Sequence, residues 1–385
     1  MKSSVYNRNI ILILAASFCY MACPMMVTPL ITGYAGVLGA GGIIMGLIGG
    51  LMNICSLVMR PVAGNLSDRT SKYKLSILGA TCMFVACIGY IISNSAVILM
   101  ISRLIHGIGF SCCSVCMSTW MAGMLPKEKI GSGMGIFGTM NALSMAIAPS
   151  IGIKLSSLFG YRTAFATAAG FALLTLILIQ FISDHGQPQK GEKKHQIRLI
   201  IPRILPLALI VTLFTIPYCA TQSFLISYIQ ARGINVSTSL FFPVYALVLL
   251  GLRIGLRKYF DTLPFRTFLI ACTLSSALAI LLLNSMTNNL MLFAAAVFMA
   301  AGYGIMCSVA QSTAILMAKK GESGMANSTY YVGLDIGMSL GPILGGFLYS
   351  GLDITFFYPA FLITIPLILA MGLLHNRISH LDSSN

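Results

Sequence analysis

Twelve apolar runs, each long enough to cross a lipid bilayer, follow one another with only short polar stretches between them: 10–31, 41–60, 75–93, 97–124, 131–153, 161–183, 204–230, 239–259, 266–285, 290–317, 325–350 and 355–374. The hydrocarbon core of a bilayer is about 30 Å thick and a helix rises about 1.5 Å per residue, so about 20 apolar residues make one crossing. Within hydrocarbon the chain must satisfy its own backbone N–H and C=O groups, which leaves helices and closed barrels. The runs are continuously apolar rather than alternating, which argues against a barrel. Hydrophobic residues make up 57% of the chain and charged residues 9%, whereas soluble domains carry about 25% charged residues and disordered chains are polar and charge-rich. No polar stretch approaches the ~50 residues of a small soluble domain. The expected fold class is an all-α membrane protein with twelve transmembrane helices. The first run is too long for a signal peptide and no small-residue cleavage site follows it, so it is read as a retained helix.

The net charge is +15. In a soluble protein such a balance would point to nucleic acid, but here the basic residues sit between hydrophobic runs rather than on a stripe, so no nucleic-acid partner is expected. With the N-terminus placed inside, all but four of the 24 Lys and Arg fall on inner segments; Lys154, Arg162 and Arg232 lie outside and Arg103 lies within a span. This bias orients the chain with both termini cytoplasmic and an even helix count. The longest polar stretch, 184–203, is rich in Lys, Gln, Gly and Pro and reads as a flexible linker. It divides the chain into an N-terminal six-helix bundle, 1–183, and a C-terminal one, 204–385.

The two halves match at a single offset of 193 residues: Pro24 with Pro217, Arg60 with Arg253, Asp68 with Asp261, Gly109 with Gly302, Pro149 with Pro342 and Gly152 with Gly345. Each pair is a weak signal alone. Their common offset across corresponding helices indicates two parallel six-helix repeats, one architecture of secondary transporters.

Three stretches carry finer patterns. After the second run comes Arg60-Pro-Val-Ala-Gly64-Asn-Leu-Ser-Asp68-Arg69-Thr-Ser-Lys72-Tyr-Lys74, read as a basic loop in which Gly64 permits close helix approach. Its counterpart in the second half has Arg257 for Gly64 and Thr262 for Arg69. The fourth run holds Arg103-Leu-Ile-His106-Gly107-Ile-Gly109. The fifth holds Gly135, Ser144, Ala148, Pro149, Gly152 and Ile153, and the eleventh a fuller version with Gly337, Gly341, Pro342, Gly345 and Gly346. Small residues let helices pack tightly, and Pro permits a bend.

Together with the helix count and the repeat, these patterns resemble the major facilitator superfamily over about residues 5–375. The resemblance implies two pseudo-symmetric bundles rocking about a midplane site lined by helices 1, 4, 7 and 10. It implies conformational gating at Gly64, Asp68, Arg69, Pro149, Gly337, Gly341 and Pro342, with the helix 2–3 loop locking the inner face against helix 11. It also implies a monomer in the cytoplasmic membrane of a bacterium. The fifth-run pattern resembles the superfamily's antiporter motif with three of its glycines replaced, by Ser144, Ala148 and Ile153, and the eleventh run carries a fuller copy; the motif points to efflux, and protons are the expected energy source because no ATP site is present. The chain departs from many drug antiporters of the family in one respect: its first helix has no acid, only Ser17, Tyr20, Pro24 and Thr28 as polar or special positions.

Candidate substrate and proton sites follow from polar groups placed in apolar runs. Asp335 is the one acid deep in a span, near the midplane, where carboxylates commonly carry protons or bind cations. Coupling is therefore expected at Asp335, unless it serves as a structural partner to a basic or polar group. Arg103 either faces a wet cavity or snorkels outward. His106, one turn on, is either a ligand or a packing residue. In the seventh helix Tyr218 and Gln222 can hydrogen-bond a solute without charge, or join helices. Arg103 and His106 would also suit an organic anion taken up rather than exported. A non-transporting receptor on the same scaffold is the reading of another class. Eleven Cys are scattered along the chain, and the cluster Cys112, Cys113, Cys116 is read as packing thiols rather than a metal site. No nucleotide-binding loop occurs and Ser/His/Asp catalysis is unsupported, so neither an enzyme nor a cofactor is expected. The partners are a small-molecule substrate, protons and the lipid bilayer.

Overall fold

A computed structural model describes residues 7–126, 130–187, 200–256, 259, 263–317 and 323–383. Its elements are helices: α1 (Arg8–Val37), α2 (Gly42–Arg69), α3 (Lys72–Ile92), α4 (Ala96–Met124), α5 (Ile130–Phe159), α6 (Tyr161–Gln180), α7 (Leu205–Ala231), α8 (Phe241–Gly255), α9 (Phe265–Ser285), α10, α11 (Ser323–Gly351) and α12 (Thr364–Ser383). Helix α10 is built from Asn289–Met299, a π-helical turn at Ala300–Gly304 and Ile305–Leu316. Among the described residues there is no strand, and twelve helices are long and apolar enough to cross a membrane. The protein is an all-α, twelve-helix membrane protein.

The chain forms two compact units, one of residues 1–40 and 51–194, the other of 41–50 and 195–385. In the first, α3 packs on α4 and α6, and α1 on α5 and α6; in the second, α11 packs on α7, and α9 on α10. Gly42–Gly50, at the start of α2, lies within the second unit. A Cβ on Gly46 would come 2.5 Å from the Pro342 carbonyl oxygen, and one on Gly50 2.5 Å from that of Ser339. Only glycine allows so close an approach of α2 to α11.

The repeat at offset 193 is visible in the packing inside each unit. Thr28 Oγ1 donates to the Pro24 carbonyl at 2.8 Å in α1, and Thr221 Oγ1 to the Pro217 carbonyl at 2.8 Å in α7. Gly109 of α4 abuts Gly79 and Met83 of α3, and Gly302 of α10 abuts Cys272 and Ser276 of α9. Ser95 caps α4 by accepting from Ile98 N, and Asn288 caps α10 by accepting from Met291 N. In both units a polar side chain takes up one of the donors that a helix N-terminus leaves open.

One expectation is corrected. The stretch expected as the loop after helix 2 is helical through Arg69, with Pro61 inside the helix, and the joint narrows to Thr70 and Ser71. Thr70 closes the helix by donating its hydroxyl to the Leu66 carbonyl at 2.6 Å. Beyond the joint, α3 has no side-chain cap at its N-terminus; the Gly186 carbonyl accepts from Lys72 N at 3.1 Å, and the His185 carbonyl accepts from Ser71 Oγ at 2.6 Å. The segment that follows α6 is thus folded back against the start of α3. The expected counterpart Asp261, with Arg257 and Thr262, lies outside the described residues, as does most of the linker.

Candidate functional site

Each unit holds one set of buried polar side chains on the helices where the sequence placed candidates. In the first unit Arg103 is 0% exposed and donates from Nη1 to the Met52 sulfur of α2 at 3.5 Å. It turns into the bundle and does not snorkel. His106 is fully buried as well, and lies between α1 and α3. Its Nδ1 is 3.0 Å from the Tyr90 hydroxyl and its Nε2 is 3.8 Å from Cys23 Sγ, which in turn is 3.5 Å from Cys87 Sγ. A buried imidazole with both nitrogens occupied meets the requirement that interior polar groups be hydrogen-bonded. Tyr90 and His106 also lie within electrostatic reach of Arg103. The structure therefore brings Arg103 and His106 into one polar cluster with Tyr90 and Cys23, two residues the sequence reading did not single out. Helical spacing reveals Arg103 beside His106, but the partners from α1 and α3 come from tertiary packing and leave no local signal.

Helix α5 carries buried Pro149, with Ser144 Oγ donating to the Phe18 carbonyl of α1 at 2.7 Å and Gly152 abutting Met26. Gly64 stands in open space: a Cβ there would meet nothing within 4 Å. Close helix approach, the reason expected for glycine there, is not what this structure shows. Asp68 and Arg69 form the last turn of α2. The three clustered thiols pack apolar groups: Cys112 and Cys116 join Ala63 and Leu75 in one buried cluster, and Cys113 donates to the Ser76 carbonyl. Among the described residues, no group of three or more His, Cys, Asp or Glu could hold a metal ion.

In the second unit α11 presents two packed faces. Gly337 and Gly341 lie against α7, where added Cβ atoms would sit 2.9 Å from the Thr212 carbonyl and 2.6 Å from that of Ile216. Asp335 is 3% exposed and its carbonyl accepts from Ser339 Oγ at 2.8 Å. By helical spacing it shares a face with Ser339, Pro342 and Gly346, the residues that meet Gly42–Gly50. Gln222 and Tyr218 are buried on α7, and Tyr218 stacks on Tyr303 with ring centroids 4.2 Å apart. Tyr303 was not singled out by the sequence, although the offset of 193 equates it with Phe110, which contacts Tyr20 of α1 in the first unit.

Two units of membrane-crossing helices, each with charged or polar groups sealed in its interior, define a polytopic membrane protein. The family model of the Major Facilitator Superfamily matches residues 13–282 and 259–379; the chain belongs to that superfamily. It is 24% identical to an uncharacterized MFS-type transporter of Methanocaldococcus jannaschii, over 91% of this chain and 94% of the relative. It is 27% identical to the multi-drug resistance efflux pump PmrA of Streptococcus pneumoniae, over 49% of this chain and 48% of that protein. Among solved structures, a POT family transporter in complex with 5-aminolevulinic acid superposes with a TM-score of 0.82 at 13% identity, covering 97% of each chain. A bacterial homolog to the human lysosomal transporter Spinster, inward-facing and unoccupied, superposes with a TM-score of 0.75 at 13% identity, covering 98% of each chain. At these identities the structural likeness speaks for the fold.

Proposed function

We propose that the protein is a proton-coupled exporter of a small solute, working by alternating access as a monomer in the cytoplasmic membrane of a bacterium, with both termini inside. The single observation that carries this reading is Asp335, a carboxylate 3% exposed within the membrane-crossing helix Thr329–Gly351. An acid at such depth is costly to the fold and is retained chiefly where a proton or cation is moved. Helix 1 supplies no acid, so coupling falls to α11. The likeness of half the chain to an efflux pump supports the direction. Tyr218, Gln222, Arg103 and His106 are the proposed substrate-side residues. Gly64, Asp68, Arg69, Pro149, Gly337, Gly341 and Pro342 are proposed for gating, and 184–203 for the connection between bundles.

The test is dye and drug efflux in everted vesicles energised by respiration, comparing wild type, Asp335→Asn and empty vector. Uncoupler-sensitive transport in wild type that is lost in Asp335→Asn is the expected outcome. Equal transport in the variant removes Asp335 from coupling. A buried Arg103 keeps a second reading in play, the uptake of an organic anion; accumulation in right-side-out vesicles that anionic analogues inhibit would establish it. No flux in either orientation would favour a receptor on this scaffold.

A further inference from the structure

The eleven cysteines of the chain are all free thiols. Two of them give their protons to the backbone: Cys55 Sγ donates to the Leu104 carbonyl at 3.3 Å, and Cys113 Sγ to that of Ser76 at 3.6 Å. Cys23 of α1 and Cys87 of α3 face each other instead. Their Sγ atoms are 3.5 Å apart and both residues are 0% exposed. Cys23 Sγ also lies 3.8 Å from Nε2 of His106 on α4. Because α1 packs on α5 and α6, and α3 on α4 and α6, the two thiols meet across the interior of the first unit, 64 positions apart in sequence.

The chain of contacts through His106 has an order in which every proton finds an acceptor. Cys87 donates to Cys23 Sγ, and Cys23 donates to Nε2. Nδ1–H donates to the Tyr90 hydroxyl at 3.0 Å, and Tyr90 donates to the Ser102 carbonyl at 3.5 Å. The order ends on a carbonyl, which only accepts. It leaves Nε2 without a proton and facing the Cys23 thiol, the position of a general base for a sulfur nucleophile.

We propose that Cys23 and Cys87 are a reversible modification site, at which a peroxide joins them in a disulfide that ties α1 to α3. Neither the bond nor its formation rests on the transport function. In the first step Cys23 sulfur attacks one oxygen of hydrogen peroxide as the O–O bond breaks. His106 takes the thiol proton and passes it to the departing hydroxide, leaving a sulfenic acid and water. In the second, Cys87 sulfur attacks the sulfenic sulfur, the S–O bond breaks, and the Cys87 proton leaves with the hydroxide as a second water. The two thiols are oxidised and the peroxide is reduced. The product adds no atom to the interior, so it requires no cavity. From contact the sulfurs close by about 1.5 Å to bonding distance, less than a change of χ1 rotamer moves a sulfur. Hydrogen peroxide is small and uncharged, and local opening of the bundle admits it.

The experiment treats the purified full-length protein in liposomes with hydrogen peroxide, blocks the remaining thiols with a maleimide in denaturant, digests without reductant and maps the peptides by mass. Wild type should yield the Cys23 peptide joined to the Cys87 peptide, lighter than their sum by two hydrogens and separated again by dithiothreitol. Cys87→Ser should stop at a sulfenic acid on Cys23 that dimedone traps, and Cys23→Ser should give no joined peptide. His106→Gln, which still hydrogen-bonds but takes no proton, should form the bond about a hundredfold more slowly, the low end of general-base catalysis. Oxidised wild type should melt higher than the reduced form, since the bond restricts the unfolded chain, and Cys87→Ser should melt alike in both. The mapping of wild type needs no substitution, so a variant that fails to fold leaves the test intact. The proposal is overturned if Cys23 and Cys87 stay reduced in the folded wild type, if Cys23 couples to a cysteine other than Cys87, or if Cys23 passes to sulfinic acid without joining Cys87. An unchanged rate in folded His106→Gln overturns the route assigned to the proton.

Discussion

At the scale of the residue, two glycines of similar expectation separate cleanly. Gly341 faces a backbone carbonyl of α7 at a distance no Cβ tolerates, whereas Gly64 faces open space. Gly341→Ala must push α11 from α7 and should lower stability by about 1–3 kcal/mol, the usual cost of overpacking. Gly64→Ala should leave stability unchanged or raise it by up to about 1 kcal/mol through helix propensity. Melting in detergent checks both. If Gly64→Ala melts as high as wild type yet loses flux, glycine is needed there for motion and not for packing. His106 offers a third case. His106→Leu removes the shorter of two contacts of the buried Tyr90 hydroxyl, leaving the Ser102 carbonyl at 3.5 Å as acceptor, and losing one such hydrogen bond costs about 1 kcal/mol. Tyr90→Phe in the same background should recover part of that loss.

Elements are positioned here as much by backbone as by side chain. The N-terminus of α3 is closed by carbonyls of residues 185–186, and Gly186 adopts φ +52 with the ring of Trp120 beside it. A Cβ at Gly186 would stand 2.9 Å from the Lys72 Cβ and 3.0 Å from Trp120 Nε1, in a conformation that favours glycine. The expected outcome for Gly186→Val is release of the 183–187 segment from α3. Trp120 is the single tryptophan of the chain, so its emission should shift to the red as the indole meets water. An unchanged spectrum would show that the segment stays docked without glycine.

For the whole molecule the twelve crossings make a topological prediction. In a cysteine-free background, Lys154→Cys, on a segment expected to face outward, should react with a membrane-impermeant maleimide in intact cells. Lys74→Cys, at the start of α3, should react only in inside-out vesicles. The reverse pattern would refute the inside placement of the termini, and labelling of both from the same side would refute the three crossings between them. The same experiment in the presence of substrate would report whether either position changes accessibility during transport.

Helix number, helix type and the repeat were legible in the residues alone, because a bilayer imposes a one-dimensional rule: each crossing must be apolar for about 20 residues whatever it packs against. The pairing of Thr28 with Pro24 and of Thr221 with Pro217 follows from helical spacing and could be read the same way. Arg103, His106, Asp335 and Tyr218 stood out because a polar group in an apolar run is conspicuous without a partner. Their partners were not legible. Tyr90 and Cys23 reach His106, and Tyr303 and Tyr245 reach Tyr218, from helices far away in sequence, and a tyrosine or cysteine in a span looks the same whether it meets lipid, a neighbour or a ligand. The π-turn under Tyr303 and the open space around Gly64 were likewise decided by tertiary structure, since whether a glycine permits contact depends on what stands opposite it. The order of residues is enough to count the crossings and to mark where a charge must be accommodated, because the bilayer acts on each helix singly; what each of those groups touches depends on how the helices pack.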